Sequence, residues 1–508
     1  MIVATQQGKV QGLEKRGVHQ FRGIPYARAP RFRAPEPVEP WPGVREATAF
    51  GASAPQNPSP TEVLFGGGER VTSEDCLHLN VFTPAPDDRA RPVMVWIHGG
   101  AFTAGSGDVV WYDATNLARS GDVVVVTINY RLGVLGFLRL DHLDPAFAGS
   151  GANGIRDQVA ALRWVADNIA GFGGDPGNVT IFGESAGGMS VSTLLATPSA
   201  HGLFHRAVAQ SGAAAHTHVP ATAERVTDAV LAALDVSPAS AEALLAAPVD
   251  DLLRAQAAVD APLNQEVRGE GGVAVGALTF QPVVDGAVVP EHPLHAVGAG
   301  SAAGVPLVVG TTADEWNLFH VPSRMAGALD DDRLRRRVAR VVPADRVDDV
   351  IDLYRSVVPG ADADALLCAA MTDMVFGHPA VQLAEAQLGS TPAVHLYRFD
   401  LGSTAMGGLL GACHSIEIPF VFDNLDRGGI DLLLGGVDDG ARGLAARAAR
   451  AWTAFAHGGD PAHDDLAWPA YDVERRRTCV LDRTPRVDDD PRAERRLLWQ
   501  ELRPATSS

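Results

Sequence analysis

The sequence has little positive charge and almost no lysine. Of its 508 residues, 42 are lysine or arginine and 61 are aspartate or glutamate, which gives a formal net charge of −19. Only Lys9 and Lys15 are lysines. A nucleic-acid-binding surface needs clustered basic side chains that attract phosphate. We therefore expect no nucleic-acid partner.

Cysteines and long apolar runs are also scarce. The four cysteines are far apart and form no C-x-x-C pair, which argues against a disulfide scaffold and a structural zinc site; they are Cys76, Cys368, Cys413 and Cys479. No stretch reaches the roughly 18 apolar residues of a membrane span. The first residues, MIVATQQGKVQGLEK, lack the basic and apolar regions of a secretion signal. We expect a cytoplasmic protein with no membrane partner.

Strand-like and helix-like segments alternate along the chain. Short apolar, β-branched runs predict buried parallel strands; they lie at 93–100, 123–130, 179–182, 306–312 and 393–400. Apolar residues recur at helical spacing from Ile155 to Ala170, with Asp157 expected in the first turn, where the helix dipole favours a carboxylate. This rhythm predicts an α/β fold with a large, mostly parallel central sheet flanked by helices.

Two stretches interrupt the strand pattern. Residues 221–260 and 330–390 are rich in Ala, Leu, Val, Asp and Arg and have a helical pattern. We interpret them as helical insertions over one end of the sheet, within a single domain that spans residues 1–508. A further helix at 443–457 either covers the core or makes a dimer contact, so the expected state is a monomer or a weak homodimer.

One serine lies in a setting that suits a nucleophile. The predicted strand 179–182 runs into Gly183-Glu184-Ser185-Ala186-Gly187 and then into a helical pattern. Ser185 is the only serine with glycine at both the −2 and +2 positions. A sharp strand-to-helix turn needs such small neighbours to tolerate strained backbone angles. The alternative interpretation is a glycine-rich turn with a passive serine.

A catalytic serine needs a histidine as base, an acid that orients the histidine, and donors for the oxyanion. The sequence His98-Gly99-Gly100-Ala101 follows a predicted strand and offers backbone N–H groups as donors, and Ala186 offers another. The residues alone do not select the acid between Asp314 and Glu315. Nor do they select the base among the later histidines, which are His320, His378, His395, His414, His457 and His463.

Motifs along almost the whole chain resemble one family. They include FRGIPYA (21–27), SEDCLHLNVFTP (73–84), WIHGGAF (96–102), FGESAGG (182–188) and HSIEIPFVF (414–422). The chain resembles the type-B carboxylesterases, the cholinesterase-like branch of the α/β-hydrolases, and among them the bacterial para-nitrobenzyl esterases. The resemblance implies an α/β-hydrolase fold and a broad-specificity serine esterase that hydrolyses small to medium uncharged esters through an acyl-enzyme.

The resemblance also implies the roles of single residues. It makes Ser185 the nucleophile, Glu315 the triad acid and His414 the general base. The oxyanion donors become the backbone amides of Gly100, Ala101 and Ala186.

Further residues follow from the same family pattern. Glu184 is expected beside the acyl centre, and Ser211 is expected to hydrogen-bond the triad acid. Two structural ion pairs are also implied, Arg31 with Glu74 and Arg131 with Asp157.

The sequence departs from the family pattern at three places. Ala54 stands where animal members have the cysteine that pairs with the one at Cys76, so Cys76 is expected to be a free thiol. The loop 55–75 holds no tryptophan, so the cation–π platform for choline is missing and we do not expect choline esters to be preferred substrates. Trp316 replaces the glycine that many relatives have after the acid, and we expect it to line the substrate pocket together with Leu318 and Phe319.

Other functions remain open at this stage. The same site could cleave a carbamate or an amide, and a non-catalytic binding protein of the cholinesterase-like fold is a more remote alternative. His201 with His205 and His216 with His218 have spacings that could suit zinc, but no carboxylate motif accompanies them. We therefore expect a small-molecule ester as the partner and no metal or cofactor.

Overall fold

The computed structural model describes residues 1–59, 70–236, 240–266 and 278–503. Its strands are β1 Ile2–Ala4, β2 Lys9–Gln11, β3 Leu13–Lys15, β4 Val18–Pro25, β5 Val44–Glu46, β6 His78–Thr83, β7 Arg91–Ile97, β8 Val124–Ile128, β9 Gly174–Glu184, β10 Arg206–Gln210, β11 Leu307–Thr312, β12 Val394–Phe399, β13 Arg477–Leu481 and β14 Arg486–Asp489. All five strands predicted from apolar runs are present, with ends shifted by a few residues.

The helices are α1 Thr115–Gly121, α2 Gly133–Phe137, α3 Asn153–Asn168, α4 Ala186–Leu195, α5 Pro220–Ala233, α6 Ala241–Ala246, α7 Val249–Glu266, α8 Pro293–Gly298, α9 Asn317–Met325, α10 Asp331–Val338, α11 Val347–Val357, α12 Ala363–Thr372, α13 His378–Leu388, α14 Ile418–Val421, α15 Ile430–Leu434, α16 Asp439–Gly458 and α17 Ala493–Leu502. A π-helical turn, Asp373–Gly377, joins α12 to α13. No helix in the described ranges is long and apolar enough to cross a bilayer.

The central sheet has eleven strands in the order β14-β13-β12-β11-β10-β9-β7-β8-β6-β4-β3. Strands from β8 to β13 pair in parallel, and antiparallel strands complete both edges. A separate small sheet has the order β1-β2-β5. The predicted α/β fold with a large, mostly parallel sheet is confirmed.

Helices cover both faces of the sheet, which explains why its strands are apolar throughout. In β7, Val93, Val95 and Ile97 pack into one core with α3 and α4. Met94 and Trp96 point to the opposite face and pack into a second core with α1 and α16. The helix predicted at 443–457 is therefore mainly a covering element of the second core.

The two stretches interpreted as insertions, 221–260 and 330–390, are helical. The first contains α5, α6 and α7, and its residues 237–239 lie outside the described ranges, as do residues 60–69 of the loop 55–75. The second contains α10 to α13, but α13 packs on β11 and β12 and so belongs to the layer that covers the sheet. The assignment of these stretches as insertions into one domain remains a prediction.

The expectation for Asp157 needs a correction. Helix α3 begins at Asn153, so Asp157 lies beyond the first turn and has little contact with the helix dipole. Its carboxylate is instead fully buried and accepts hydrogen bonds from Arg131, whose Nε lies 2.8 Å from Oδ2 and whose Nη2 lies 2.6 Å from Oδ1. Ion pairing rather than helix capping accounts for its burial.

Candidate active site

Ser185 lies on a strained turn between β9 and α4. Its φ of 58° and ψ of −125° are values that few residues other than glycine adopt. The turn is tightly packed: a Cβ on Gly187 would come within 1.9 Å of the carbonyl oxygen of Ile97, and one on Gly183 within 2.6 Å of the same atom. The glycines of the motif therefore let the turn approach the end of β7 and present Ser185 at the edge of the sheet.

Glu315 and His414 form a buried hydrogen-bonded pair. Glu315 follows β11 closely, and its Oε1 accepts the N–H of Thr312 at 2.9 Å. Its Oε2 lies 2.6 Å from Nδ1 of His414, and both side chains are buried. In this arrangement Nδ1 donates its proton to the carboxylate, and Nε2 is left with the lone pair that a general base requires.

The other imidazole nitrogen faces Glu184. Nε2 of His414 lies 3.2 Å from Oε1 of Glu184, and the hydroxyl of Ser415 donates to the same oxygen at 2.6 Å. Within the described residues, no hydrogen bond joins Ser185 to His414, although both line one cavity. Catalytic hydrogen bonds are often long or misaligned in a free enzyme and shorten when substrate binds.

Three backbone N–H groups beside Ser185 are free to bind an oxyanion. The N–H groups of Gly100, Ala101 and Ala186 have no acceptor in the described part of the chain. The loop that carries Gly100 and Ala101 is held in place by hydrogen bonds within the loop. The carbonyl oxygen of Gly100 accepts the N–H groups of Thr103 at 3.0 Å and of Ala104 at 2.9 Å. Preorganised, unpaired donors of this kind are what an oxyanion hole provides.

A third carboxylate, which the sequence reasoning missed, lies close to the pair. Glu417 is buried, and its Oε1 accepts from the side-chain amide of Gln210 at 3.3 Å. Gln210 is fixed in turn by the indole N–H of Trp452 at 3.0 Å. Burial raises the pKa of both Glu184 and Glu417, and repulsion between the carboxylates adds to this. Ionisation of all three carboxyl groups at once is therefore unfavourable.

The predicted pocket residues line the same cavity as Ser185. This cavity has a volume of about 750 Å³ and includes Trp316, Leu318 and Phe319 in its wall. Sequence reasoning missed Phe376, which also lines it. The rings of Phe319 and Phe376 each lie 5.0 Å from the imidazole ring of His414, measured between centroids. One wall of the cavity is therefore aromatic next to the histidine.

Arg492, from the far end of the chain, connects two parts of the site. Its Nη2 donates to the carbonyl of Ala313 at 2.8 Å, two residues before Glu315. Its Nη1 lies 3.1 Å from Oδ1 of Asp373, the first residue of the π-helical turn that carries Phe376. No local motif marks this arginine, because its partners lie more than a hundred residues away.

The predicted hydrogen bond from Ser211 to the triad acid is not present. The hydroxyl of Ser211 is buried and has no hydrogen-bond partner among the described residues. The oxygens of Glu315 instead accept from Thr312 and His414. Ser211 is bound through its backbone, whose N–H donates to the carbonyl of Gly310 at 2.8 Å.

The ion pairs and the free thiol lie outside the cavity. Arg31 binds Glu74 through two hydrogen bonds, of 2.8 and 2.5 Å, and Arg131 binds Asp157 as described above. Cys76 is buried and unpaired. Residue 54, where animal members of the family have the partner cysteine, is alanine, so Cys76 has no cysteine to pair with there.

One histidine of each pair with zinc-like spacing is hydrogen-bonded to other groups of the protein. Nδ1 of His205 accepts the N–H of Val179 at 3.1 Å. Both ring nitrogens of His218 are hydrogen-bonded, to the carbonyl of Thr279 at 3.1 Å and to the side chain of Gln281 at 3.0 Å. Over the described ranges, no group of three or more His, Cys, Asp or Glu side chains is arranged to hold a metal ion.

Comparison with known proteins places the chain in a family. The model of the carboxylesterase family matches residues 1–499. Para-nitrobenzyl esterase of Bacillus subtilis (strain 168) is 40% identical over 97% of each chain, and phenmedipham hydrolase of Pseudarthrobacter oxydans is 36% identical over 92% of each chain.

Solved structures agree with the sequence comparison. A PNB esterase superposes with a TM-score of 0.87 at 40% identity and covers 98% of this chain and 99% of its own. The carboxylesterase of Geobacillus stearothermophilus gives a TM-score of 0.86 at 41% identity over 98% of this chain and all of its own. The resemblance seen in the motifs is thus confirmed: the chain belongs to the carboxylesterase family and is a hydrolase of carboxylic esters.

Proposed function

We propose that the protein is a serine carboxylesterase that works by two-step acyl transfer, with Ser185 as nucleophile, His414 as general base and Glu315 as the acid that orients it. One observation carries the proposal. His414, hydrogen-bonded to the buried Glu315, lines a single cavity with a serine on a strained turn, beside three unpaired N–H groups.

In the acylation step, Nε2 of His414 takes the proton of the Ser185 hydroxyl as Oγ forms a bond to the ester carbonyl carbon. The carbonyl oxygen becomes an oxyanion, which accepts hydrogen bonds from the N–H groups of Gly100, Ala101 and Ala186. The bond to the alcohol oxygen then breaks, and His414 returns the proton to that oxygen. Alcohol leaves, and the acyl group remains on Ser185.

In the deacylation step, water replaces the alcohol. His414 takes a proton from the water as its oxygen attacks the acyl carbon, and the same three N–H groups bind the second oxyanion. The bond to Oγ breaks, and Oγ receives the proton from His414. The carboxylic acid leaves and the free serine is restored.

The cavity wall favours uncharged esters of small to medium size. Much of the lining is apolar, contributed by Met189, Trp316, Leu318, Val375 and Phe376. Burying an unpaired charge against such a wall costs on the order of several kcal/mol. A volume of about 750 Å³ is in the range of sites that hold ligands of this size.

The test is hydrolysis of p-nitrophenyl butyrate by the wild type and by Ser185→Ala. We expect Ser185→Ala to lower kcat by roughly a thousandfold or more, and a fluorophosphonate probe to label the wild type but not the variant. Ser120→Ala, at an exposed serine of α1, is the matched control and should retain full activity. A Ser185→Ala protein as active as the wild type would overturn the proposal.

A second measurement separates esters from related substrates. We expect kcat/KM for p-nitrophenyl butyrate to exceed that for p-nitrophenyl N-propylcarbamate, which has a similar size and the same leaving group. If kcat/KM is higher for the carbamate and this activity is lost in Ser185→Ala, the mechanism stands but carbamates are the preferred substrates.

A further inference from the structure

The segment that carries His414 has little regular structure. It comprises residues 400–417, between β12 and α14, and is called the base segment below; the 3-10 turn Ala405–Gly408 is its one helical element. Its backbone takes positive φ values at five residues, which are Met406, Gly407, Gly408, Gly411 and Ser415. Because neither a long helix nor a strand fixes this segment, the position of His414 depends on contacts with other parts of the chain.

Asp314 binds both backbone groups of Ala412, two residues before His414. The N–H of Asp314 donates to the carbonyl oxygen of Ala412 at 2.9 Å, and its Oδ2 accepts the N–H of Ala412 at 2.9 Å. The N–H of His414 itself lies 3.4 Å from the carbonyl oxygen of Glu315. The two bonds to Ala412 are therefore the shorter connection between the two segments that carry the triad acid and the base.

Two adjacent acids thus face two different parts of the base segment. Glu315 binds the ring of His414 through Oε2, whereas Asp314 binds the backbone of the segment. Ala412 is fully buried, so its N–H has no water to bind if the carboxylate of Asp314 is removed. The base segment would then have to move to satisfy this N–H, and His414 would move relative to Glu315.

The segment that carries Glu315, residues 313–316, is fixed from its other side. Oγ1 of Thr372 accepts the N–H of Trp316 at 3.0 Å, and Arg492 donates to the carbonyl oxygen of Ala313 at 2.8 Å. These bonds lie on the residues that flank the two acids. Asp314 therefore contacts the base segment from a fixed position.

We propose that Asp314 is a positioning residue for catalysis, whose carboxylate holds the base segment so that Nδ1 of His414 stays within hydrogen-bond distance of Glu315. This inference rests on the proposed serine esterase function and adds a residue to its machinery. Asp314 and Ala412 are not among the described residues that line the Ser185 cavity. We therefore expect Asp314 to affect kcat rather than substrate binding.

The test compares Asp314→Ala with Asp314→Asn on p-nitrophenyl butyrate. Both substitutions remove the charge, but asparagine keeps a carbonyl oxygen that can accept the N–H of Ala412. We expect Asp314→Ala to lower kcat by about 10- to 100-fold and to leave KM within about threefold, because a small misplacement of catalytic groups has an effect of this size. Asp314→Asn should keep kcat within about threefold of the wild type, since the acceptor is retained.

The pH profile is a readout that a loss of stability alone does not move. Burial lowers the pKa of His414, but three carboxyl groups and the hydrogen bond to Glu315 raise it; the carboxyl groups are those of Glu184, Glu315 and Glu417. A weaker contact with Glu315 lowers the pKa of His414. The acid limb of kcat/KM should therefore move to lower pH in Asp314→Ala, and further than in Asp314→Asn.

Two more variants complete the design, and thermal melting checks that each protein is folded at the assay temperature. Asp88→Ala, at an exposed aspartate, is the matched control and should behave as the wild type. Gly411→Ala decides the case in which Asp314→Ala does not fold. Its new Cβ would lie 2.5 Å from Oδ2 of Asp314 and would displace the carboxylate from Ala412, so we expect the same fall in kcat.

Several outcomes would overturn the inference. They are a folded Asp314→Ala or Gly411→Ala protein with the kcat of the wild type, an Asp314→Asn protein as slow as Asp314→Ala, and a loss of kcat/KM that comes from KM alone. Failure of the esterase proposal is a different result. If hydrolysis depends on Ser185 but not on Asp314, only the positioning inference falls, whereas a Ser185→Ala protein that still hydrolyses p-nitrophenyl butyrate would show that the function itself is wrong.

Discussion

The imidazole of His414 lies among three carboxyl groups, and these set the direction in which its pKa is shifted. Burial alone would lower the pKa of His414, but the carboxylates of Glu184, Glu315 and Glu417 outweigh burial and raise it above the ordinary value. Catalysis needs His414 as a neutral base. The acid limb of the pH profile of kcat/KM should therefore lie above the ordinary histidine pKa of about 6.5.

The Glu184→Gln variant tests this electrostatic effect. Removing the carboxylate 3.2 Å from Nε2 destabilises the imidazolium, so the pKa of His414 falls and the acid limb of kcat/KM should move to lower pH by about one unit. The rate at the plateau can fall as well, but the midpoint is the diagnostic readout. Glu39→Gln, at an exposed glutamate, is the matched control and should leave the midpoint in place. An unmoved or raised midpoint in Glu184→Gln would contradict this account.

Single residues of the site differ in how well the sequence predicted them. Ser185 was indicated by its two glycines and by the strand before it, since these features are local. Glu315 and His414 came only from the family resemblance, because the fold brings together positions 99 residues apart. Glu417 lies in the motif HSIEIPFVF, which by itself assigns it no role, and Phe376 lies in no motif. The place of each beside the histidine depends on packing between distant elements. The same dependence explains why the bond predicted for Ser211 is absent.

Helix α4, which follows the Ser185 turn, packs closely against the sheet. A Cβ on Gly188 would meet the carbonyl oxygen of Gln210 at 2.5 Å, and one on Gly212 would meet the carbonyl oxygen of Ser185 at 2.3 Å. Together with Gly187 against β7, these glycines bring backbone against backbone on both sides of β9. The position of the nucleophile therefore depends on the absence of side chains around it.

Gly187→Ala tests this packing. The new Cβ would lie 1.9 Å from a backbone oxygen, which no rotamer change can relieve, so α4 must move. We expect a loss of at least about 3 kcal/mol in the free energy of unfolding and a large loss of esterase activity. Urea denaturation and p-nitrophenyl butyrate hydrolysis measure the two effects.

Gly458→Ala is the matched control for this substitution. Gly458 is exposed at the end of helix α16, and a Cβ there meets no atom within 4 Å. Alanine should leave activity unchanged and stabilise the protein slightly, by up to about 1 kcal/mol, through its helix propensity. A Gly187→Ala protein as stable as Gly458→Ala would show that the turn after Ser185 has room for a side chain at position 187.

Periodicity predicted the regular elements well but not the π-helical turn. Residues 363–388 have a continuous helical pattern, and the structure divides them into α12, the turn Asp373–Gly377 and α13. A π-helical turn changes the hydrogen-bonding partners without changing composition, so no pattern of apolar residues marks it. Its place is fixed by tertiary contacts, including the ion pair between Asp373 and Arg492.

At the scale of the whole molecule, the protein has a hydrophobic core on each side of the sheet and no disulfide bond among the described residues. All four cysteines lie within the described residues, and all four are buried and unpaired. The spacing of the cysteines argued against a disulfide scaffold, and the alanine at position 54 led us to expect Cys76 to be free. What the sequence could not predict was that every thiol is buried, since burial is a property of the folded chain.

This burial predicts how the thiols react. Burial raises the pKa of Cys368 and of Cys479 to about 12 and raises the pKa of the other two thiols as well, so little thiolate is present at neutral pH. Ellman's reagent should titrate fewer than about one thiol in the native enzyme and about four in guanidinium chloride, because attack needs both access and a thiolate. Dithiothreitol should leave Tm unchanged, since there is no disulfide to reduce. A thiol that labels rapidly in the native state, or a Tm that falls under reduction, would contradict the burial of four unpaired thiols.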